Sequence, residues 1–146
     1  MSKAIFAVLP LGMYDVLRPA LTAAGLPADD LLEPGRSFFE LSDDDGPIGF
    51  VGVEGTGADR LLRSLVVLPG RKRQGHGGLL VAHAEAVARG GGVERLHLLT
   101  TTVADFFRAR GYQPAERASA PAAIAETAQF SSLCPGSAAY LLKDLT

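Results

Sequence analysis

The chain has 146 residues, of which 47% are hydrophobic and 21% charged, and this predicts one globular domain over residues 1–146. Fourteen basic and sixteen acidic residues leave a net charge of -2, which argues against a nucleic-acid partner. One cysteine excludes an internal disulfide, and with three scattered histidines it lacks the paired spacing of a zinc site, so no metal is expected. The apolar run near the start is too short to span a membrane, so we expect a cytoplasmic protein without a membrane partner.

Apolar runs separated by glycine and proline predict a mixed α/β fold in which strands prevail early and then alternate with helices. In the first half we expect a strand Ile5–Leu9, a helix Tyr14–Ala24, a short helix Pro27–Leu32, and strands Arg36–Leu41, Ile48–Glu54 and Arg60–Leu68. In the second half we expect a helix over 77–89, a strand Leu96–Leu99, a helix from a Thr102 cap to Arg110, a strand Tyr112–Arg117, a helix begun by Pro121, and a strand Ala138–Leu142.

Three aspartates, Asp43–Asp45, connect the second and third strands. Glu54 lies eleven residues after Asp43, which is the spacing of the first and last ligands of an EF-hand loop. Ile48 stands where that loop needs glycine, and strands rather than helices flank the segment. We therefore predict a solvated hairpin turn and no calcium site.

The strand Arg60–Leu68 carries apolar residues on both faces and a charge in its middle. Alternation predicts two sets, with Leu61, Leu65 and Val67 on one face and Leu62, Val66 and Leu68 on the other. Arg63 and Ser64 interrupt this pattern. Because a buried charge is costly without a partner, Arg63 is expected to have a partner or to face a cavity.

A glycine-rich segment, Pro69–Gly78, follows this strand and leads into a helix. Such a turn directs backbone N–H groups outward at the positive end of a helix dipole, which favours anion binding. Arg71–Arg73 adds three positive charges. The segment is not a Walker loop, because Gly75 is followed by His and Gly rather than by Lys and Ser or Thr. It is not a dinucleotide fingerprint either, because Leu80 stands where Gly or Ala is required.

The segment Val67–Gly78 resembles the acetyl-CoA loop of the GNAT acetyltransferase superfamily, whose pattern is Gln/Arg-x-x-Gly-x-Gly; here Lys72 takes the first position and keeps the charge. The resemblance implies acetyl-CoA as cosubstrate, with backbone amides at its pyrophosphate and the preceding strand along its pantetheine arm. Carried over by position, the implied cofactor-binding residues are Leu65, Val66 and Val67 for the arm and Lys72, Arg73, Gln74, Gly75, His76, Gly77 and Gly78 for the pyrophosphate.

A second segment, Thr100–Tyr112, resembles the superfamily's Ala-x-x-Phe-Tyr-x-x-x-Gly-Phe motif. Together the two segments imply a GNAT fold, an α/β fold with a splayed central sheet of about six to seven strands flanked by helices. Thr100 and Phe107 are further implied cofactor contacts. Many relatives use the tyrosine of the Phe-Tyr pair as a proton donor. Phe107 stands at that position and has no hydroxyl, so either water or another side chain protonates the sulfur, or the thiolate leaves without a proton. His97, between leucines in a strand, is expected to be a core histidine.

Four shorter strings narrow the resemblance, over roughly residues 48–143, to the small arsenic-resistance N-acetyltransferases of arsenic operons: Leu61–Val67, Leu98–Thr101, Pro121–Ile124 and Leu133–Pro135. This implies acetyl transfer from acetyl-CoA to a primary amine of a small molecule, such as an arsenic- or phosphinate-containing amino acid. The alternatives are an acetyltransferase for an ordinary metabolite or peptide amine, a non-catalytic acyl-CoA-binding module, and a protein that binds arsenic through Cys134. One cysteine per chain provides too few thiolates for the last of these. A homodimer is compatible with the sequence.

Catalytic and acceptor-binding candidates lie on the two central strands. Glu54 is the predicted general base, because desolvation at the end of an apolar strand would raise its pKa toward the working range. Alternatively, Glu54 pairs with Arg60 or Arg63. Arg63, with Ser64 beside it, is the predicted substrate contact, holding an anionic group through a bidentate interaction or else forming a structural ion pair. A backbone N–H near Val67 would polarise the thioester carbonyl.

Overall fold

The computed structural model describes residues 4–72, 75–133 and 136–146. The strands are β1 (Ile5–Val8), β2 (Arg36–Asp43), β3 (Gly46–Glu54), β4 (Asp59–Val67), β5 (Arg95–Thr100), β6 (Gln113–Pro114) and β7 (Ala139–Asp144). The α-helices are α1 (Tyr14–Ala23), α2 (His76–Gly90), α3 (Ala104–Arg108) and α4 (Ala122–Ala125), with short 3-10 helices at Leu11–Met13 and Arg117–Ser119 and a π-helical turn at Gln129–Leu133. The predicted mixed α/β order is confirmed.

Within these described ranges seven strands form one sheet in the order β1-β2-β3-β4-β5-β7-β6. Neighbouring strands are antiparallel except for β4 and β5, which are parallel. The hairpin predicted between Arg36 and Glu54 is confirmed, and the aspartates Asp43–Asp45 lie at its turn.

Two apolar cores lie on opposite faces of the sheet. One contains residues of α2 and α3 packed on the central strands, including Leu80, Leu96 and Phe107. The other contains residues of α1 packed on β2 and β3, including Leu17 and Phe38. The side chains of β4 and β5 therefore face two different environments, one on each side of the sheet.

The sheet opens between β4 and β5. Their parallel pairing is confined to Asp59–Leu61 against Arg95–His97, near the start of both strands. Farther along β4, Ser64 has a φ of +59°, in the left-handed region that a residue with a side chain adopts only where its surroundings hold it there. The register with β3 shifts at the same place, which marks a β-bulge.

The bulge reverses the alternation of side chains in β4. Leu62 packs in the same core as Leu65 and Val67, whereas Val66 lies in the other core. The prediction that grouped Leu62 with Val66 is wrong, because one inserted residue moves every following side chain to the opposite face.

Two predicted helix features also differ from the structure. Pro27–Leu32 forms turns instead of a helix. Arginine side chains occupy its backbone acceptors: the Ala28 carbonyl accepts a hydrogen bond from Arg18 at 2.5 Å. Thr102 does not cap α3, because Val103 is the N-cap residue. No helix among the residues described is long and apolar enough to cross a membrane.

Candidate active site

A cleft of ≈ 570 Å³ occupies the opening between β4 and β5. Its walls are the end of β4, the end of β5 with the turn after it, and the end of α1 with the turn that follows. The cleft-lining residues are Ala20, Ala23–Pro27, Asp29, Leu65–Val67, Pro69, Lys72, Leu99–Val103 and Ala138. The predicted pantetheine contacts Leu65, Val66 and Val67 therefore lie together with Thr100 in one cavity.

The glycine-rich loop leads from this cleft into α2. Gly75 is the N-cap residue of the helix and has a φ of +94°, a conformation that glycine adopts without steric cost. His76 Nδ1 lies 2.7 Å from the carbonyl oxygen of Arg71, so the ring N–H donates to the backbone and closes the loop. Arg73 and Gln74, two of the predicted pyrophosphate contacts, lie outside the described residues.

The basic residues of the loop differ in their surroundings. Arg71 forms an ion pair with Asp43 and donates to the Gly46 carbonyl at 3.3 Å, which ties the loop to the β2–β3 hairpin. The Arg71 guanidinium lowers the pKa of the Asp43 carboxyl. Lys72 is exposed and lines the cleft. Of the charges expected at the mouth, Arg71 is thus neutralised, whereas Lys72 faces the cavity.

A side chain at Gly77 or Gly78 would crowd the contact between the first turn of α2 and α3. A Cβ atom at Gly77 would lie 3.2 Å from the Phe106 ring, and one at Gly78 would lie 2.8 Å from Arg110 Nη2. The Arg110 guanidinium stacks 3.7 Å from the centroid of the Phe106 ring. Phe107, an implied cofactor contact, is 5% exposed and packs within the core.

A buried ion network lies behind the cleft wall, on the α1 side of β4. Arg63 Nη1 donates to Asp30 Oδ2 at 2.7 Å and to Glu54 Oε1 at 2.8 Å, and its Nη2 donates to Asp30 Oδ1 at 2.7 Å. Arg36 completes the network, with contacts of 2.6 Å to Asp30 and 3.4 Å to Glu54. The Arg63 side chain has no exposed surface.

The remaining donors of Arg63 are also satisfied. Its Nε donates to Ser64 Oγ at 3.1 Å, and the Gln129 amide, oriented with its oxygen toward Arg63, accepts from Nη2 at 3.2 Å and from Nε at 3.1 Å. Burial opposes the charge of Arg63, but its hydrogen bonds to Asp30 and Glu54 raise its pKa above the ordinary value. Burial likewise acts to raise the pKa of Asp30, but the guanidiniums of Arg63 and Arg36 outweigh it and lower that pKa.

This geometry is the ion pair that the alternative interpretation of Glu54 and Arg63 expected. Both Glu54 oxygens accept from arginines, and Arg63 could hold an acceptor anion only by exchanging an internal carboxylate for it. General-base catalysis by Glu54 and substrate binding by Arg63 and Ser64 stay predictions. Sequence reasoning did not find Asp30, because the short helix predicted there gave no reason to place its carboxylate beside β4.

A second polar group connects β4, β5 and β7 on the same sheet. His97 Nε2 lies 2.7 Å from Asp59 Oδ1, and His97 Nδ1 lies 2.8 Å from the Tyr140 hydroxyl. Arg95 binds Asp59 through two contacts of 2.8 and 3.3 Å. His97 is buried, as expected of a core histidine, but it joins two further titratable groups, and sequence alternation alone gave no signal for them.

A family model described as "Acetyltransferase (GNAT) domain" matches residues 34–114. That range covers β2 to β6 and includes the opening between β4 and β5 and the glycine-rich loop.

Two curated relatives match a shorter stretch. An amino-acid acetyltransferase of Ectopseudomonas mendocina is 42% identical over 64 residues, which is 44% of this chain and 15% of that protein. An amino-acid acetyltransferase of Pseudomonas aeruginosa is 41% identical over 69 residues, or 47% of this chain and 16% of that protein. The chain thus spans about one sixth of the length of the curated relatives it matches.

Solved structures share the fold. N-acetylglutamate synthase from Neisseria gonorrhoeae, complexed with coenzyme A and N-acetyl-glutamate, superposes with a TM-score of 0.77 at 21% identity, covering 100% of this chain and 35% of that one. A GNAT-family acetyltransferase from Staphylococcus aureus superposes with a TM-score of 0.79 at 12% identity, covering 99% of this chain and 100% of that one. The predicted splayed sheet of six to seven strands is confirmed.

Proposed function

The chain belongs to the GNAT acetyltransferase family, and from this premise we propose that it transfers the acetyl group of acetyl-CoA to the primary amine of a small amino acid. The domain is an acetyl-CoA-dependent N-acetyltransferase domain; the acceptor and the activity of the whole protein are the proposal. The cosubstrate is acetyl-CoA, in keeping with the coenzyme A held by the related synthase structure.

The observation that carries the proposal is the opening of the sheet beside the glycine-rich loop. The pairing between β4 and β5 ends at Leu61, before the bulge in β4. The resulting cleft extends past Val67 to Lys72, just before the start of α2. An extended arm can lie along β4 while a phosphate meets the backbone amides at Gly75, where the helix dipole favours negative charge. A backbone N–H near Val67 is proposed to polarise the thioester carbonyl.

An amino-acid acceptor is supported by the names of the curated relatives and by the charged surroundings of the cleft. Asp29 lines the cleft and is followed by Asp30 of the ion network. The finer proposal, an arsenic- or phosphinate-containing amino acid, stands on the four sequence strings shared with arsenic-operon acetyltransferases. Ordinary amino acids or peptide amines are the alternative acceptors.

Acetyl transfer needs a neutral amine, a polarised carbonyl and a proton for the departing thiolate. Glu54 is the base proposed from sequence, although the nearby Arg63 and Arg36 hold both of its oxygens. Phe107 cannot donate a proton to sulfur, and it lies in the core. A further group is therefore needed to move the proton from the amine to the thiolate.

A thiol-release screen with the purified chain tests the proposed function. Acetyl-CoA is mixed with amino acids, phosphinic and arsinic amino-acid analogues, polyamines and short peptides, and each acceptor has its N-acetylated form as a matched control. We expect release with at least one amino-acid acceptor and none with its N-acetylated control, which has no free amine. Binding of acetyl-CoA by calorimetry without release from any acceptor would favour the acyl-CoA-binding module, and absence of both binding and release would refute the proposal.

A further inference from the structure

We infer that Asp59, His97 and Tyr140 form a proton relay that takes the proton of the attacking amine and delivers it to the thiolate of coenzyme A. The inference rests on the proposed acetyl transfer. Phe107 of α3 cannot supply the proton path, and the inference assigns that path to Tyr140 of β7.

The first argument is the continuity of the hydrogen bonds. Contacts of 2.7 and 2.8 Å connect the Asp59 carboxylate, the two nitrogens of His97 and the Tyr140 hydroxyl into one chain. His97 is 1% exposed and Tyr140 3% exposed, so their hydrogen bond is shielded from water, whereas the Asp59 carboxylate is partly exposed. The Tyr140 ring is held by the Phe130 ring, whose centroid lies 5.3 Å away.

The second argument is the direction of these bonds. The hydrogen bond and charge of Arg95 lower the pKa of Asp59, so its carboxylate is ionised and only accepts. His97 Nε2 must then carry the proton, which leaves Nδ1 of the neutral ring to accept from the Tyr140 hydroxyl. The Tyr140 oxygen keeps lone pairs that can accept a further proton.

His97 and Tyr140 lie on strands that border the cleft. His97 pairs with Leu61, which is the last pair before β4 and β5 separate. Tyr140 pairs with Leu99, and Leu99 lines the cleft. Ala138, which immediately precedes β7, lines the cleft as well. His97 and Tyr140 therefore lie on strand pairs that border the closed end of the opening, and the proposed relay requires the Tyr140 hydroxyl to reach the reacting atoms from there.

The charged groups nearest the relay are Asp59 and Arg95. Asp59 faces the ring from β4, and Arg95 of β5 binds Asp59 without contacting the ring itself. Burial and the nearby Asp59 charge raise the pKa of Tyr140, so its hydroxyl is neutral at the start of the reaction. Arg117 packs over the Phe130 ring, 5.1 Å from its centroid, and thus lies one side chain farther away.

The proposed step balances without another reactant. As the amine nitrogen forms its bond to the acetyl carbon, its proton moves to the Tyr140 oxygen while the original Tyr140 proton moves to His97 Nδ1. The resulting imidazolium is stabilised by Asp59, as in triads of carboxylate, histidine and hydroxyl. When the carbon–sulfur bond breaks, its electron pair goes to sulfur and the proton returns through Tyr140 to the thiolate.

The test compares Tyr140→Phe with Tyr112→Phe. Both substitutions remove the hydroxyl of a buried tyrosine and one side-chain hydrogen bond, since the Tyr112 hydroxyl donates to Glu85 at 2.9 Å in the core beneath α2 and α3. We expect kcat to fall by about 10²- to 10⁴-fold in Tyr140→Phe, the usual range for a lost acid–base group. Tyr112→Phe should change kcat by less than about threefold, and acetyl-CoA affinity should stay unchanged in both variants.

Two further measurements separate a relay from a structural role. The pH profile of kcat should differ between the wild type and Tyr140→Phe and should coincide between the wild type and Tyr112→Phe. Asp59→Asn, which preserves the shape of the carboxylate, should also lower kcat and favour the opposite histidine tautomer. Nitrogen NMR of His97 in the wild type should show a proton on Nε2, whether or not an acceptor is known.

These outcomes have distinct meanings. Wild-type kcat in a folded Tyr140→Phe, or a proton found on Nδ1 instead of Nε2, would overturn the relay and leave the proposed function standing. Absence of thiol release from wild type and both tyrosine variants would refute the proposed function and the relay with it.

Discussion

Replacing Arg63 by methionine should destabilise the protein strongly, and in a way that depends on pH. The wild-type guanidinium makes three hydrogen bonds of 2.7–2.8 Å to Asp30 and Glu54 and has no exposed surface. Removing one partner of a buried ion pair costs about 3–5 kcal/mol, because the other charge is left buried. Arg36 stays bound to both carboxylates, so we expect the lower end of this range, about 3 kcal/mol.

The pH dependence follows from the lowered pKa of Asp30. In the wild type, the ionised carboxylate contributes stability above its ordinary pKa of 3.8, and this contribution is lost as the pH falls through the lower native pKa. In Arg63→Met the main partner is gone and burial favours the protonated carboxyl. The difference in unfolding free energy between wild type and variant should therefore be largest near pH 7 and shrink as the pH falls below 3.8, toward about pH 3.

Urea unfolding followed by circular dichroism at both pH values measures this difference. The melting temperature at pH 7 should fall by about 6–12 °C, at 2–4 °C per kcal/mol for a protein of this size. Arg60→Met is the matched control: Arg60 donates to the Gly57 carbonyl and, among the described residues, to no carboxylate, so it should change stability by about 0.5 kcal/mol at most. A loss below about 1 kcal/mol for Arg63→Met, or one that is the same at both pH values, would refute a structural role for the network.

Three other substitutions test the cofactor loop and the base. Gly77→Glu should abolish acetyl-CoA binding measured by calorimetry, because the new side chain meets the Phe106 ring and its charge repels the pyrophosphate. Gly90→Glu is the control: it lies at the other end of α2 with open space around it and should retain binding. Equal affinities of the two variants would contradict the loop assignment. Replacing Lys72 and Arg73 together by alanine should weaken acetyl-CoA binding and reduce its dependence on salt concentration, because charge attraction in solvent is screened over a Debye length of about 8 Å in 0.15 M salt. A variant with the wild-type affinity and the wild-type salt dependence would show that these residues do not contact the cofactor. If the relay is the base, Glu54→Gln should lower the melting temperature but keep kcat within about tenfold of the wild-type value. A folded Glu54→Gln variant with kcat reduced about 10²- to 10⁴-fold would instead identify Glu54 as the base.

Local sequence signals predicted most of the strands and helices along the chain. Apolar periodicity predicted the strands β1 to β5 and the helices α1 and α2, and the glycine pattern between Val67 and Gly78 predicted a loop before α2. These signals depend on residues close in sequence, whose spacing fixes which face they occupy. Leu65–Val67 and Thr100 accordingly lie together in the cleft, as the family resemblance implied.

Contacts between distant segments were not predictable in the same way. The bulge at Ser64 reverses the faces of the residues after it, and no local pattern announced it. Asp30 reaches Arg63 from 33 residues away, and Tyr140 reaches His97 from 43 residues away. Sequence reasoning required a partner for Arg63 because a buried charge is costly, but the identity of that partner depends on tertiary packing.

Mass spectrometry of the product formed from acetyl-CoA labelled with carbon-13 in its acetyl group tests the central claim most directly. The purified chain is incubated with labelled acetyl-CoA and each amino-acid acceptor that releases thiol in the screen. The account predicts an acceptor whose amine nitrogen carries the labelled acetyl group, formed by the wild type and by Gly90→Glu but not by Gly77→Glu. Thiol release with the label in free acetate, or an acetylated amine formed equally by Gly77→Glu, would contradict acetyl transfer at the cleft between β4 and β5.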